Sequence, residues 1–395
     1  MNYSKFCRYE VPLSSLTKKE IEKPYLVLEE LCRKRNMEQF QMDLWIFHGT
    51  VFKERAWKAY DPCQLYKVYK DLIRLMDALW LIYKYSPGLS SLLKIKDFSE
   101  LAAGNMADFN QIFPGIQEKK KLAEAKKKDI PCSFLHYFYS NHHTGFLKIN
   151  LHCYLQAGLN ASYMSNDKYE YFGLQQHDLV AQFEDLSDLV TEAYLIYEKG
   201  SGVFPNLEHC AETSFAIDRS HPTHVSSECM KNLSQIADSF YFFEFSMENM
   251  QKGLKAWERM LYANDFWKDA ENPGNLIHLQ RSLAKLIDCI WLMGKRGRLE
   301  SIWIKQDTVQ KRFKLMVKKC NKDERNNPLV VIRSFFAFKK IYEWKAQLEQ
   351  WLECSLSNSE KYVIEDKSST KKGFKYLLKF IEAGYLLNCC QTNEV

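Results

Sequence analysis

An arginine that can hold a phosphate and an imidazole that can move a proton near neutral pH are what metal-free RNA cleavage requires. The stretch RSHPTH places Arg219 and His224 with four residues between them. A proline turn, Pro222, sits between them, and Ser220 follows the arginine. The competing reading is a solvated loop. Basic residues concentrate further on, where Gly294 to Arg325 carries eleven Lys or Arg against four Asp or Glu, a local balance of +7. Lys311, Arg312, Lys314, Lys318 and Lys319, with Trp303 and Phe313 interleaved, could meet phosphates and stack a base. Ile302, Val309, Phe313, Leu315, Met316 and Val317 equally give this segment an apolar side to bury.

The Arg219–His224 spacing resembles that of HEPN-type ribonucleases, a family of small helical bundles. That resemblance implies that Arg219 would stabilise the scissile phosphate and His224 would act in acid–base transfer. It covers six residues. The family's usual Asn or Asp after the arginine is replaced here by Ser220, and Pro222 breaks the motif.

Other candidates carry less chemistry. Acids precede a large aromatic by three residues at Asp77, Asp288 and Glu382, with Glu192 one place later in its own stretch. A carboxylate held on an apolar face has a raised pKa and can serve as a general acid. A recurring acid fits a structural bond between helices better. His136, His142, His143 and His152 cluster without the spacing of a zinc site, and His142–His143 reads as a turn between two helices. No Gly-rich phosphate loop stands at a convincing place, and neither a metal nor a cofactor is expected.

Helices must position these residues. Gly and Pro together supply 15 and 10 of 395 residues, about half their usual joint share. The punctuation of β-rich folds is therefore scarce, and the expectation is all-α. A hydrophobic share of 46% and a charged share of 26% exclude a disordered chain and a membrane bundle. No apolar run reaches the length of a spanning helix. The start of the chain lacks a secretory pattern, and the 12 cysteines are scattered. Both features lead to the expectation of a cytoplasmic protein with reduced thiols.

Self-comparison organises the helices. Asp61–Ile82 aligns without gaps to Asn272–Met293, matching Pro62 with Pro273, Leu72 with Leu283, Asp77 with Asp288 and Trp80 with Trp291. Related patterns surround Tyr194 and Tyr385. Upstream, Pro328, Phe335, Phe336, Leu348 and Trp351 match Pro131, Phe138, Tyr139, Leu151 and Tyr154. The reading is a tandem array of four helical-bundle units of three to four helices, at 1–86, 118–199, 226–296 and 320–395. A connecting segment at 87–117, a linker at 200–225 and a basic connecting segment at 297–319 join them. The opening proline, double aromatic and closing LxxWL pattern resembles an uncharacterised helical family of Bacteroidetes. That resemblance implies a fold and no activity.

The functional expectation is a non-enzymatic scaffold that meets a protein partner through exposed aromatics and the basic linker. RNA or DNA held by residues 295–325 is the first alternative, and ribonuclease action by Arg219 and His224 the second. No membrane is expected among the partners.

Overall fold

Capping residues decide where the helices begin. Thr17 and Glu20 form a capping box that opens α1 (Lys18–Glu22), satisfying two backbone donors that a helix start leaves over. Pro24 precedes α2 (Tyr25–Lys34), and the Asn36 side chain accepts from the Gln39 N–H at 2.8 Å to open α3 (Met37–Val51). Pro62 starts α4 (Pro62–Tyr85), where a missing N–H costs nothing. Next come α5 (Ser133–Asn141), α6 (Thr144–Gly158) and α7 (Gln176–Lys199).

After these, α8 (Leu233–Asp238) runs into a π-turn, and Ser246 caps α9 (Met247–Met260). A short α10 (Phe266–Asp269) precedes α11 (Gly274–Lys295). The chain closes with α12 (Lys322–Asn326), α13 (Pro328–Phe338), α14 (Ile341–Leu356) and α15 (Lys367–Thr392). This computed structural model describes residues 13, 15–53, 55–85, 133–142, 144–160, 176–199, 232–244, 246–264, 266–269, 272–297, 299, 316–358 and 366–392. The fold is all-α, with no strand among the described residues, as the shortage of glycine and proline implied. Among those residues no helix is long and apolar enough to cross a membrane.

Each apolar stripe finds a partner helix. In the first half α3 lies against α6 and α7, α2 against α7, and α4 against α5 and α6. In the second half α8 and α9 lie against α15, and α11 against α14. The halves meet where α4 packs on α14 and α6 on α11.

Aromatic stacking fills the second half. Phe335 lies between Trp344 and Phe380 at centroid distances of 4.1 and 4.0 Å, and Trp351 stacks on Phe374 at 4.1 Å. All five rings are buried, and full burial of side chains this size contributes roughly 2–3 kcal/mol each. The indole N–H groups of Trp344 and Trp267 reach the carbonyls of Phe335 and Ser355 at 3.0 and 2.6 Å, as buried indoles require. Gly384 lets the π-turn after α8 approach α15: a methyl there would collide with the Tyr241 hydroxyl, which donates to the Ile381 carbonyl at 3.0 Å.

The four closing aromatics, Trp80, Tyr194, Trp291 and Tyr385, differ in burial. Tyr194 and Tyr385 are buried, whereas Trp80 and Trp291 are only partly so. The indole edges of the latter reach the surface, where the ammonium groups of Lys84 and Lys295 lie over them at 4.8 and 5.5 Å. A cation on the ring face lets a large aromatic sit at the boundary between core and water.

Candidate functional site

The acids that suggested catalysis are held by neighbouring helices. Lys148, four residues into α6, reaches Asp77 of α4 with Nζ at 2.8 and 2.9 Å from its two carboxylate oxygens. Lys345, four residues into α14, reaches Asp288 of α11 at 3.2 Å. Gln251, at the same place in α9, donates to Glu382 of α15 at 2.8 Å. Gln41, at the same place in α3, donates to the Thr191 hydroxyl of α7 at 2.9 Å.

All four acceptors stand three residues before a closing aromatic. The sequence pointed to Glu192 in the second of these stretches, and the structure puts Thr191 there instead. Glu192 is buried beside it.

Burial explains why these groups are paired. Lys148 and Asp77 each keep only 3% of their side-chain surface exposed, so either charge alone would be costly. Asp77 also accepts from the Ser15 hydroxyl. Burial, opposed by the Asp288 carboxylate, lowers the pKa of Lys345. Glu382 has no lysine and instead takes the backbone N–H groups of Lys318, Lys319 and Cys320 at 3.0, 2.7 and 2.9 Å. Three N–H donors and the Gln251 amide meet the hydrogen-bond demand of a buried carboxylate.

A second polar cluster joins the halves. Tyr66 and Lys70 of α4 reach Glu349 of α14 at 2.8 and 2.7 Å, and Lys70 also reaches Glu353 at 2.7 Å. Burial alone would lower the Lys70 pKa, but the two carboxylates outweigh it and raise it. On the opposite contact, His152 of α6 faces Arg281 and Lys285 of α11. Burial, reinforced by those cations, pushes its pKa well below the usual imidazole value. His152 is therefore neutral at physiological pH.

His136 and His142 have separate partners. His136 Nδ1 meets the Tyr83 hydroxyl at 3.0 Å, while His142, in the link between α5 and α6, meets Asp185 at 3.0 Å. No group of metal-binding type gathers among the described residues. A small apolar recess lies between α8, α11 and α15, lined by Ile290, Met293 and Leu387 with only Asn388 polar.

Two surfaces remain. On the first, α3 and α7 run side by side in opposite directions, with Gln41 meeting Thr191 at one end and Trp45 meeting Phe183 further along at 5.4 Å. Trp45 is 61% exposed and Met42 58%. Phe52 and Val180 are exposed as well, extending the apolar stripe. On the second surface, Lys318 and Lys319 have exposed side chains while their backbone is fixed by Glu382.

The remaining predicted contacts, Lys311, Arg312 and Lys314, lie outside the described residues, as do Arg219 and His224. Sequence reading passed over Lys371, Lys372 and Lys375 of α15, although their spacing in KKGFK, one turn apart on a helix, was a usable signal. Comparison of the chain with protein-family models, curated proteins and solved structures finds no match.

Proposed function

We propose that this chain is a non-enzymatic helical repeat protein, built from four copies of a three-helix unit, that presents a surface to a protein partner. The Trp45 face carries the functional part of this reading. Met42, Trp45, Gly49 and Phe52 recur at three- and four-residue steps along α3, and Phe183 and Val180 flank them from α7. A third helix with an apolar stripe fits against such a pair by helix-in-groove docking. Exposed tryptophan supplies the large anchor on which interface energy usually concentrates.

The unit reading is supported by the four matched couplings Gln41–Thr191, Lys148–Asp77, Gln251–Glu382 and Lys345–Asp288. They pair the first unit with the second, and the third with the fourth. Duplicated units that bury their faces on one another are the usual basis of a helical scaffold.

The test uses a photo-crosslinking phenylalanine analogue at Gly49, where an added Cβ meets nothing within 4 Å. In the native host, the expected result is a discrete protein adduct that Trp45→Glu abolishes and Lys318→Gln/Lys319→Gln leaves intact. Adducts unaffected by Trp45→Glu would overturn the proposed face. Metal-free RNA cleavage lost in His224→Ala would overturn the non-enzymatic reading.

A further inference from the structure

We infer that α15, continued by the Lys318–Lys319 loop, is a binding track for single-stranded nucleic acid, separate from the α3–α7 face. Lys367, Lys371, Lys375 and Lys379 follow one another at four-residue steps, about 6 Å apart along the helix axis. Two of the four are engaged: Lys379 pairs with Glu324, and Lys367 lies over the Tyr262 ring at 5.3 Å. Lys371, Lys372 and Lys375 are exposed, and no carboxylate of the described residues stands within ion-pair distance of them.

On other helices some exposed cations have an acid one turn away, as in Lys18–Glu22, Arg33–Glu29 and Lys252–Glu248. On α15 the one-turn neighbours of Lys371 and Lys375 are themselves lysines. Like charges at that spacing oppose helix formation. An anionic partner removes that repulsion.

The track is longer than the lysine ridge alone. Glu382, three residues past Lys379, holds the backbone of Lys318, Lys319 and Cys320 against α15. Cys320 Sγ also lies 3.6 Å from the Lys379 carbonyl. The exposed Lys318 and Lys319 side chains therefore continue the row where the helix turns inward. Beside the row, the Phe338 and Tyr376 rings stack in parallel at 4.3 Å, both partly exposed. The Lys372 ammonium lies over Phe338 at 5.0 Å.

A row of cations with aromatic rings alongside is how proteins hold a single strand without reading its sequence. An acidic peptide would use the cations and leave the rings idle. Nucleic acid is therefore the partner that fits both features.

Fluorescence anisotropy of a labelled 20-nucleotide oligo-dT on the full chain tests this, over 50–300 mM salt, against a polyglutamate peptide of equal charge. Contacts from Lys371, Lys372, Lys375, Lys318 and Lys319 set a log–log salt slope of up to about −3.5. Lys371→Gln/Lys375→Gln should reduce its magnitude by about 1.4, and Lys318→Gln/Lys319→Gln by a similar amount. Phe338→Leu should weaken oligo-dT with the slope retained. Trp45→Glu should change nothing. The inference is overturned if oligo-dT does not bind at 50 mM salt. It is also overturned if polyglutamate binds as tightly with the same lysine dependence, or if the lysine variants keep the wild-type slope while the circular dichroism spectrum is unchanged.

Discussion

Removing the Lys148 ammonium should be far more damaging than removing its whole ion pair. Lys148→Met keeps the aliphatic stem but leaves the Asp77 carboxylate inside a site where both partners are only 3% exposed. Breaking one side of a buried pair typically costs about 3–5 kcal/mol. The Ser15 hydroxyl still donates to Asp77 and offsets roughly 1 kcal/mol of that, which places the expected loss near 3 kcal/mol. The double variant Lys148→Met/Asp77→Leu removes both charges, and such replacements are neutral to stabilising by about 1–4 kcal/mol.

Urea unfolding followed by far-ultraviolet circular dichroism and tryptophan fluorescence gives these values where the two transitions coincide. The coupling between the two substitutions should be about 3 kcal/mol or more. The matched positions set a gradient. Lys345→Met should resemble Lys148→Met, since Asp288 is wholly buried. Gln41→Leu breaks an uncharged bond to Thr191 and should cost only about 0.5–1.5 kcal/mol. A loss below 1 kcal/mol for Lys148→Met, or equal losses at Lys148 and Gln41, would refute the argument that buried charge pairing joins these helices.

Two further outcomes follow from burial. Trp351→Ala should destabilise by about 3–5 kcal/mol, because the ring is fully buried against Phe374. Trp291→Ala should cost only about 2 kcal/mol, since that indole is partly exposed beneath Lys295; equal losses would contradict the boundary position seen for it. At alkaline pH, burial pushes the Cys63 and Cys320 thiols up from 9.0 to about 12, and it raises Tyr66, Tyr139 and Tyr241 well above 10.0. The unfolded chain loses these protons first, so their stability contribution is complete below pH 9 and declines as pH rises toward 12. Lys345 and Lys339, with lowered pKa values, act in the opposite sense just below 10.5 and are outnumbered. The urea midpoint should therefore fall as pH rises from about 9 toward about 12, and a flat or rising midpoint would refute this sign.

The helices were legible because their information is local. Prolines at 24, 62 and 328, the apolar steps of α4 and the shared pattern of Asp61–Ile82 and Asn272–Met293 all act within one or two turns. Fold class needs no more than that. The role of Asp77 or Glu382 was not local. The partners stand 71 and 131 residues away, at Lys148 and Gln251, and only packing shows that the lysine or glutamine four residues into its helix meets the acid of a helix distant in the chain. A gap-free alignment of the closing helices could find the acids but could not pair them. It also assigned Glu192 where Thr191 makes the bond, because an acid was sought and a hydroxyl serves a glutamine equally well.

The same distinction explains how the chain divides its charge. A lysine that faces a neighbouring helix must be desolvated, so it persists only where a carboxylate is fixed opposite, as for Lys148, Lys345 and Lys70. A lysine on an outer face has no such requirement, and the i, i+4 acids beside Lys18 and Lys252 are optional refinements. Three exposed lysines on α15, Lys371, Lys372 and Lys375, lack that refinement, although carboxylates are nearly as numerous as basic residues in the chain, at 49 against 55. Glu382 adds a second departure from economy, for it uses a buried carboxylate to hold three backbone N–H groups at the end of the most basic segment. Fixing that segment to the ridge concentrates positive charge where separating it would be electrostatically easier. Self-repulsion held in place by a buried bond makes sense when a polyanion completes the surface.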